Sequence, residues 1–403
     1  MAGSHPVYSP SMDHDRIATL ERSLPFYTWY ARSPHIQRAG QPGVIDLLFG
    51  NPHDMPMPAY VEAIRRHSEP RDPSWYVYML DHPPATEAVA RDLAAHTGLA
   101  YRPEDVAMTT GGWGAIAIAM RMLTEPGDEV IYYDPPWFFY DILVRGAEAV
   151  PVVLTLDPPR FSPDPQRLAD AITPRTRAVL INTPHNPSGR ILDATELEAI
   201  AEVLRDASTR FGRPIYLLSD EAYRLIALDG RRAPSPAEHY ERTLVLYSYG
   251  KQLLAPGQRI GYLALSPRIP DEERATLREA VRTAQFVNSY SWPNALLQRA
   301  LPDIADLVVD LAALERRRDR LVPALADLGY EPTTPEGTFY ILARSPIDDD
   351  MAFVARLAEN DVFVLPGSTI NLPGWFRISL TASDEMIDAS IARFAAAREP
   401  VRA

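Results

Sequence analysis

Cysteine is missing from this sequence, which excludes disulfides, thiolate metal or iron–sulfur sites and every cysteine nucleophile. Long apolar runs are missing too. No stretch approaches the roughly 18 residues that a membrane-spanning helix needs, so no membrane role is expected. Basic charge is in deficit, with 40 Lys and Arg against 53 Asp and Glu and a net charge of −13. A uniformly basic surface for phosphate backbones is therefore excluded, and no nucleic-acid partner is expected. The nine histidines show no metal-ligand spacing, and Asp13-His14-Asp15 reads as a solvated segment, so no metal is expected. No G-x-S-x-G occurs, which removes the serine-hydrolase elbow. Gly250-Lys251 is followed by Gln252 and lacks the first glycine of a nucleotide phosphate loop. The N-terminal segment has neither the basic nor the apolar region of a secretory signal, and a cytoplasmic location is expected.

What is present is an ordinary globular composition: 403 residues, 46% hydrophobic and 23% charged, enough for about two domains. Proline is the outlier. Its 39 residues are near twice the usual ~5% share and sit mostly in short connections, as in a large enzyme with rigid loops. From about residue 100, short β-branched apolar runs alternate with helical patterns, the signature of a parallel sheet with crossover helices. Strands are expected over 105–108, 129–133, 149–154, 178–182, 215–219, 243–247 and 260–265, with helices over 115–123 and 194–205. Beyond Pro270 long helical patterns run through residues 295–328. Apolar runs follow at 338–343, 363–366 and 376–380, and a closing helix near 386–397. The expected architecture is α/β: a large domain with a mostly parallel sheet between helices, plus a smaller α+β domain. The expected division is an N-terminal arm over 1–45, the large domain over 46–288, and the small domain over 289–403 with part of the N-terminal region. The arm's cluster Phe26, Tyr27, Trp29 and Tyr30 has too many aromatics to leave in water and is expected to be buried.

Gly111-Gly112-Trp113-Gly114 stands between a short strand and an apolar helix, where freed backbone amides make a phosphate site. Read as Gly112-x-Gly114-x-x-Ala117 with Asp134 about 20 residues on, it also matches a dinucleotide fingerprint, so a nicotinamide oxidoreductase is a rival reading. Against it stand the short polar strand before the turn and the bulky Trp113 within it. Three further segments follow predicted strands in order: Asn182-Thr183-Pro184-His185-Asn186-Pro187-Ser188-Gly189, then Ser219-Asp220-Glu221-Ala222-Tyr223, then Ser248-Tyr249-Gly250-Lys251. Each puts polar residues at the carboxyl end of a parallel strand, where α/β sheets bind ligands. Alone, each is a turn or a solvated charge; their joint occurrence is the informative feature.

Together these segments resemble the fold-type I pyridoxal 5'-phosphate (PLP) enzymes, specifically the class I/II aminotransferases, over about residues 45–397. The resemblance implies PLP as cofactor, Lys251 as the Schiff-base lysine and proton carrier, and Asp220 as the carboxylate paired with the pyridine nitrogen. Tyr223 and Asn186 would hydrogen-bond the ring oxygen. Ser248, Arg259 and the Gly112-Trp113 turn would hold the phosphate, and Trp137 would stack on the ring. Arg377, in Phe376-Arg377-Ile378-Ser379, would fork the substrate α-carboxylate, with the Gly50 turn and Asn186 close to it. The family's tyrosine from the neighbouring subunit matches Tyr76, with Tyr78 competing. The glycine and Leu-Arg pair expected after it are replaced by Asp81-His82-Pro83-Pro84-Ala85-Thr86, so a remodelled entrance is expected.

The implied activity is transfer of an amino group between an L-amino acid and a 2-oxo acid, in a homodimer. Alternatives are another PLP reaction on an amino acid (decarboxylation, elimination or oxidation) and the nicotinamide reading. No arginine stands in the Ser289-Tyr290-Ser291-Trp292-Pro293 loop to pair a second carboxylate, so a neutral or aromatic donor is expected over a dicarboxylic one.

Overall fold

The computed structural model describes residue 20 and residues 22–398; Asp13-His14-Asp15 lies outside them. Its centre is a seven-stranded sheet in the order Val106–Thr109, Gly261–Leu265, Thr243–Ser248, Tyr216–Asp220, Thr176–Asn182, Glu129–Asp134, Val150–Thr155. Only Gly261–Leu265 runs antiparallel to its neighbours. The other six share one direction, so their carboxyl ends lie along one edge of the sheet. All seven predicted strands form, within two residues at each end. They are legible because a sheet covered on both faces selects continuous apolar runs; Tyr216–Asp220, Thr243–Ser248 and Gly261–Leu265 are buried at every position.

Side chains alternate between two cores, as strand geometry requires. Val130, Tyr132 and Leu180 join the helix Gly111–Leu123 on one face. Ile131, Tyr133 and Ile181 join the helix Ala194–Phe211 on the other. That second helix starts on a capping box, Asp193 with Glu196, and stops at Gly212 in the left-handed conformation.

The predicted run 295–328 is two helices, Ala295–Ile304 and Leu311–Asp327. They part company in the core. Leu297, Leu301 and Ile304 pack with Met108, Tyr247 and Tyr262 of the large sheet, whereas Leu314, Leu321 and Leu325 join the C-terminal cluster. Packing therefore sets Ala295–Ile304 against the large sheet. The C-terminal unit holds a four-stranded antiparallel sheet, Leu365–Pro366, Trp375–Ser379, Tyr340–Arg344 and Glu331–Pro332. It also takes in Ile45–Asp46, which pairs in parallel with Val362–Phe363.

The arm forms helices Pro25–Tyr30 and His35–Arg38. Phe26 is buried and stacks on Phe138 at 4.0 Å between ring centroids. Tyr27 departs from the expectation: it sits on the helix face turned away from this cluster and is 59% exposed. No helix among the described residues is long and apolar enough to cross a membrane.

Candidate active site

At the carboxyl edge of the sheet a cavity opens. Nine of the residues singled out in the sequence line it: Gly112, Trp113, Trp137, Asn186, Asp220, Tyr223, Ser248, Lys251 and Arg259. They come from five separate strand ends and loops. A ligand held there would touch all of them only because parallel strands bring those ends together.

Asp220 closes one wall at the end of its strand. Its Oδ2 accepts the Tyr140 hydroxyl at 2.5 Å and its Oδ1 accepts the Ala222 N–H at 3.2 Å. Burial pushes this carboxyl above its ordinary value, against the opposing pull of Tyr140, the Ala222 N–H and the Lys251 cation. A buried carboxylate in that condition suits a ligand that presents a protonated ring nitrogen. Asn182 holds the adjoining loop, donating from Nδ2 to the Asp220 carbonyl at 2.8 Å and accepting the Asn186 N–H at 2.7 Å. His185 pins the same loop to Ser188 and to the Pro135 carbonyl, and burial lowers its pKa to about 4, so it is a neutral clamp.

Lys251 rides on the helical turn Tyr249–Gln252, directly after its strand. Gln252 locks that turn, accepting from the Tyr247 hydroxyl and donating to the carbonyls of Ala305 and Leu307 at 2.8 Å each. Among the described residues the Lys251 ammonium makes no hydrogen bond or ion pair; it lies 5.7 Å from the Tyr223 ring centroid. It is also the only lysine in the 403 residues, a signal that motif spacing alone does not use.

Opposite Lys251, the helix Gly111–Leu123 points its N-terminus into the cavity, with first-turn N–H groups that have no intrahelical partner. Gly111 has φ +77°, and a Cβ there would fall 3.1 Å from Nη2 of Arg259. One on Gly112 would fall 3.2 Å from the Ser248 Cβ. Glycine is thus what lets the turn, the hydroxyl and the guanidinium share one small volume, a combination suited to a phosphate dianion. Protonated ring, phosphate and amine-reactive carbon are the three demands of PLP, and the residues present fit all three.

Arg377 does not line the cavity; it stands on the other sheet behind Asn186 and is only 2% exposed. Its Nη1 donates to Asn186 Oδ1 at 2.9 Å and its Nη2 to the Leu48 carbonyl at 3.1 Å, while Nε has no partner among the described residues. The Gly50 turn is set from behind, since Asp46 accepts the Leu48 N–H at 3.1 Å and pairs with His35 at 2.8 Å. Trp137 stands edge-on to Trp113 at 5.3 Å in an aromatic wall that continues through Phe139 and Phe138.

The structure does not bring Tyr76 to this chain's cavity. Tyr76 is 54% exposed, with its hydroxyl on the Ser68 carbonyl. Nearby Tyr78 is exposed against Trp292. Asp81 accepts the Met108 N–H at 2.7 Å. Asp134, the acid of the dinucleotide reading, accepts from the Asn371 side chain at 3.1 Å. Sequence reasoning missed Tyr140, Asn182 and Tyr340. Asn182 lies inside a quoted segment, but only the fold shows what these three side chains meet.

A family model for class I and II aminotransferases matches residues 42–394. The aspartate/prephenate aminotransferase of Thermus thermophilus is 32% identical over 373 residues, covering 91% of this chain and 93% of that protein. An aspartate aminotransferase of Rhizobium meliloti is 32% identical over 394 residues, with 91% and 92% covered. Among solved structures, the Thermus thermophilus aspartate aminotransferase with maleate superimposes with a TM-score of 0.83 at 29% identity, covering 98% of this chain and all of that one. The N-succinyldiaminopimelate aminotransferase of Mycobacterium tuberculosis gives 0.81 at 29% identity, covering 93% and 99%.

Proposed function

Since this chain belongs to the class I and II aminotransferase family and is an enzyme that moves amino groups between amino acids and 2-oxo acids, we propose that it works with PLP held on Lys251 and takes a neutral or aromatic donor. The nicotinamide reading falls with the family match. The observation that carries the proposal is the convergence of a buried Asp220, a lone lysine and a glycine–serine–arginine cradle in one cavity. When bound, PLP supplies an electron sink for the carbanion left at the substrate α-carbon.

The chain's own residues do the rest. Asp220 keeps a proton on the ring nitrogen through its negative charge, and Tyr140 and the Ala222 N–H orient that carboxylate. Ser248, Arg259 and the Gly112-Trp113 amides hold the phosphate, so the reacting carbon stays beside Lys251. Trp137 covers a ring face. Arg377, steadied by Asn186 and Leu48, receives the α-carboxylate and orients the Cα–H bond for cleavage. Lys251 would hold the cofactor and, with its amine free, would take the proton from the substrate Cα and carry it. We assign the working unit as a homodimer, supported by the exposed apolar side chains of Tyr76, Val77, Tyr78, Phe286, Val287 and Trp292.

The donor class rests on what lines the cavity. Among the described residues the cavity lining carries no cation beside Lys251 and Arg259, and residues 289–293 supply no arginine. A second carboxylate would be desolvated there without a partner, which is costly. A panel of amino acids, each run with and without a 2-oxo acid and read by product mass, is expected to show 2-oxo acid-dependent turnover led by neutral or aromatic donors. Aspartate or glutamate outrunning every neutral amino acid would overturn the donor class. Carbon dioxide, ammonia or peroxide released without any 2-oxo acid would overturn transamination as the main reaction.

Arg377→Ala is expected to raise the donor KM by about 10- to 100-fold, the worth of hydrogen bonds to a charged group, and to lower kcat as orientation is lost. Arg377→Lys is expected to recover only part of this, because a point charge cannot fork a carboxylate. Steady-state kinetics equal to the parent's in both variants would put the carboxylate elsewhere.

A further inference from the structure

Tyr340 is used by no step above, yet it lies between the two ends of the site. The register of Tyr340–Arg344 against Trp375–Ser379 sets Tyr340 opposite Ser379 and Leu342 opposite Arg377. Period-two alternation then places Tyr340 and Arg377 diagonally on one face. The Arg377 guanidinium lies 3.9 Å from the Tyr340 ring centroid, a cation–π contact made between two almost fully buried side chains.

The hydroxyl of Tyr340 faces the other way. It is hydrogen-bonded to the Tyr223 hydroxyl and to the Gly50 N–H, and the Tyr223 and Tyr340 ring centroids are 6.1 Å apart. A Cβ on Gly50 would fall 2.7 Å from the Tyr340 oxygen, so only glycine lets the turn come this close. Lys251, Arg377 and Asp220 are the charged groups facing this pair. Burial pushes both hydroxyls up, but in Tyr340 the Arg377 and Lys251 cations and the two donated hydrogen bonds outweigh it and hold that hydroxyl below its ordinary value. Tyr223 stays well above its own.

We infer that Tyr340 is a positioning residue that couples the carboxylate end of the site to the cofactor end: its ring is the platform under Arg377, and its hydroxyl is the middle link of a chain from the Gly50 N–H through Tyr340 to Tyr223. This rests on the proposal that PLP is bound with Tyr223 at its ring oxygen. Without the cofactor Tyr223 donates to Tyr340; with the ring oxygen taking the Tyr223 proton, the Tyr340 hydroxyl turns to donate to Tyr223, and Gly50 donates to Tyr340. Each bond polarises the next, so the Tyr340 hydroxyl makes Tyr223 a stronger donor to the negative ring oxygen.

Two variants separate the two roles. In the holoenzyme the absorbance band of the cofactor on Lys251 is titrated with pH, and a donor at the ring oxygen stabilises the deprotonated form and keeps the midpoint low. Tyr340→Phe keeps the platform and removes the link, and is expected to raise the midpoint by about half a pH unit. Added to Tyr223→Phe, the same change is expected to give little further shift, since the link acts through Tyr223. Tyr340→Leu removes the platform as well and is expected to raise the donor KM severalfold more than Tyr340→Phe does. A parent-like midpoint in Tyr340→Phe, or full additivity with Tyr223→Phe, overturns this inference while leaving the cofactor proposal standing. A parent protein with no such band overturns both.

Discussion

Lys251→Ala is expected to bind PLP without a covalent link and to lose turnover by at least 10²- to 10⁴-fold, the usual worth of one positioned proton carrier. The loss is larger than that of any phosphate or carboxylate contact because one amine has two duties: it exchanges with the incoming amino group and it moves the Cα proton. The composition makes the test unusually clean. With a single lysine in 403 residues, borohydride reduction of the parent should leave the cofactor mass on one peptide, the one containing Lys251. In Lys251→Ala no lysine remains to be labelled. Turnover within tenfold of the parent, or a label on any other peptide of the parent, would remove both the assignment and the proton-transfer role.

Asp220→Asn is expected to separate activity from stability. Activity should fall by about 10²-fold or more, as for other preorganised electrostatic groups, because an amide cannot hold a proton on the ring nitrogen by charge. The cofactor-free protein should respond in the opposite sense. Burial raises the Asp220 carboxyl above its ordinary value, so the native state keeps its proton at pH values where the unfolded chain has lost it. That contribution to stability is fully present below the ordinary carboxylate pKa and is lost as pH rises through the raised native value. The amide has no such pH dependence and can still serve Tyr140 and the Ala222 N–H. Melting curves of the cofactor-free proteins should therefore coincide in acid, with the variant becoming the more stable as pH rises to neutrality. A variant less stable than the parent at neutral pH, or one with near-parent rates, would make Asp220 a structural carboxylate.

Much of the site was legible because its chemistry sits on short segments with local reasons. The turn Gly111-Gly112 announces a helix N-terminus, Asp220 and Ser248 end apolar runs that can only be buried strands, and Lys251 follows within three residues of the latter. Arg377 came from the resemblance alone, through Phe376-Arg377-Ile378-Ser379. Tyr140 and Tyr340 gave no such sign. Each is an aromatic in an apolar run, which sequence reads as core; one proves to donate to Asp220 and the other to lie under Arg377. The helix Ala295–Ile304 was equally mute about its allegiance, because an amphipathic stripe states that a face is buried and not against what.

By itself the sequence determined the seven strands of the large sheet and its mostly parallel character, since period, caps and turn residues are local properties read over a few positions. Only the tertiary structure decided which polar side chains meet. Residue 377 reaches Asn186 and Leu48, and residue 340 reaches Tyr223 and Gly50. These partners lie far apart in the chain, and the packing of two separate sheets, not any local preference, brings them within hydrogen-bond reach.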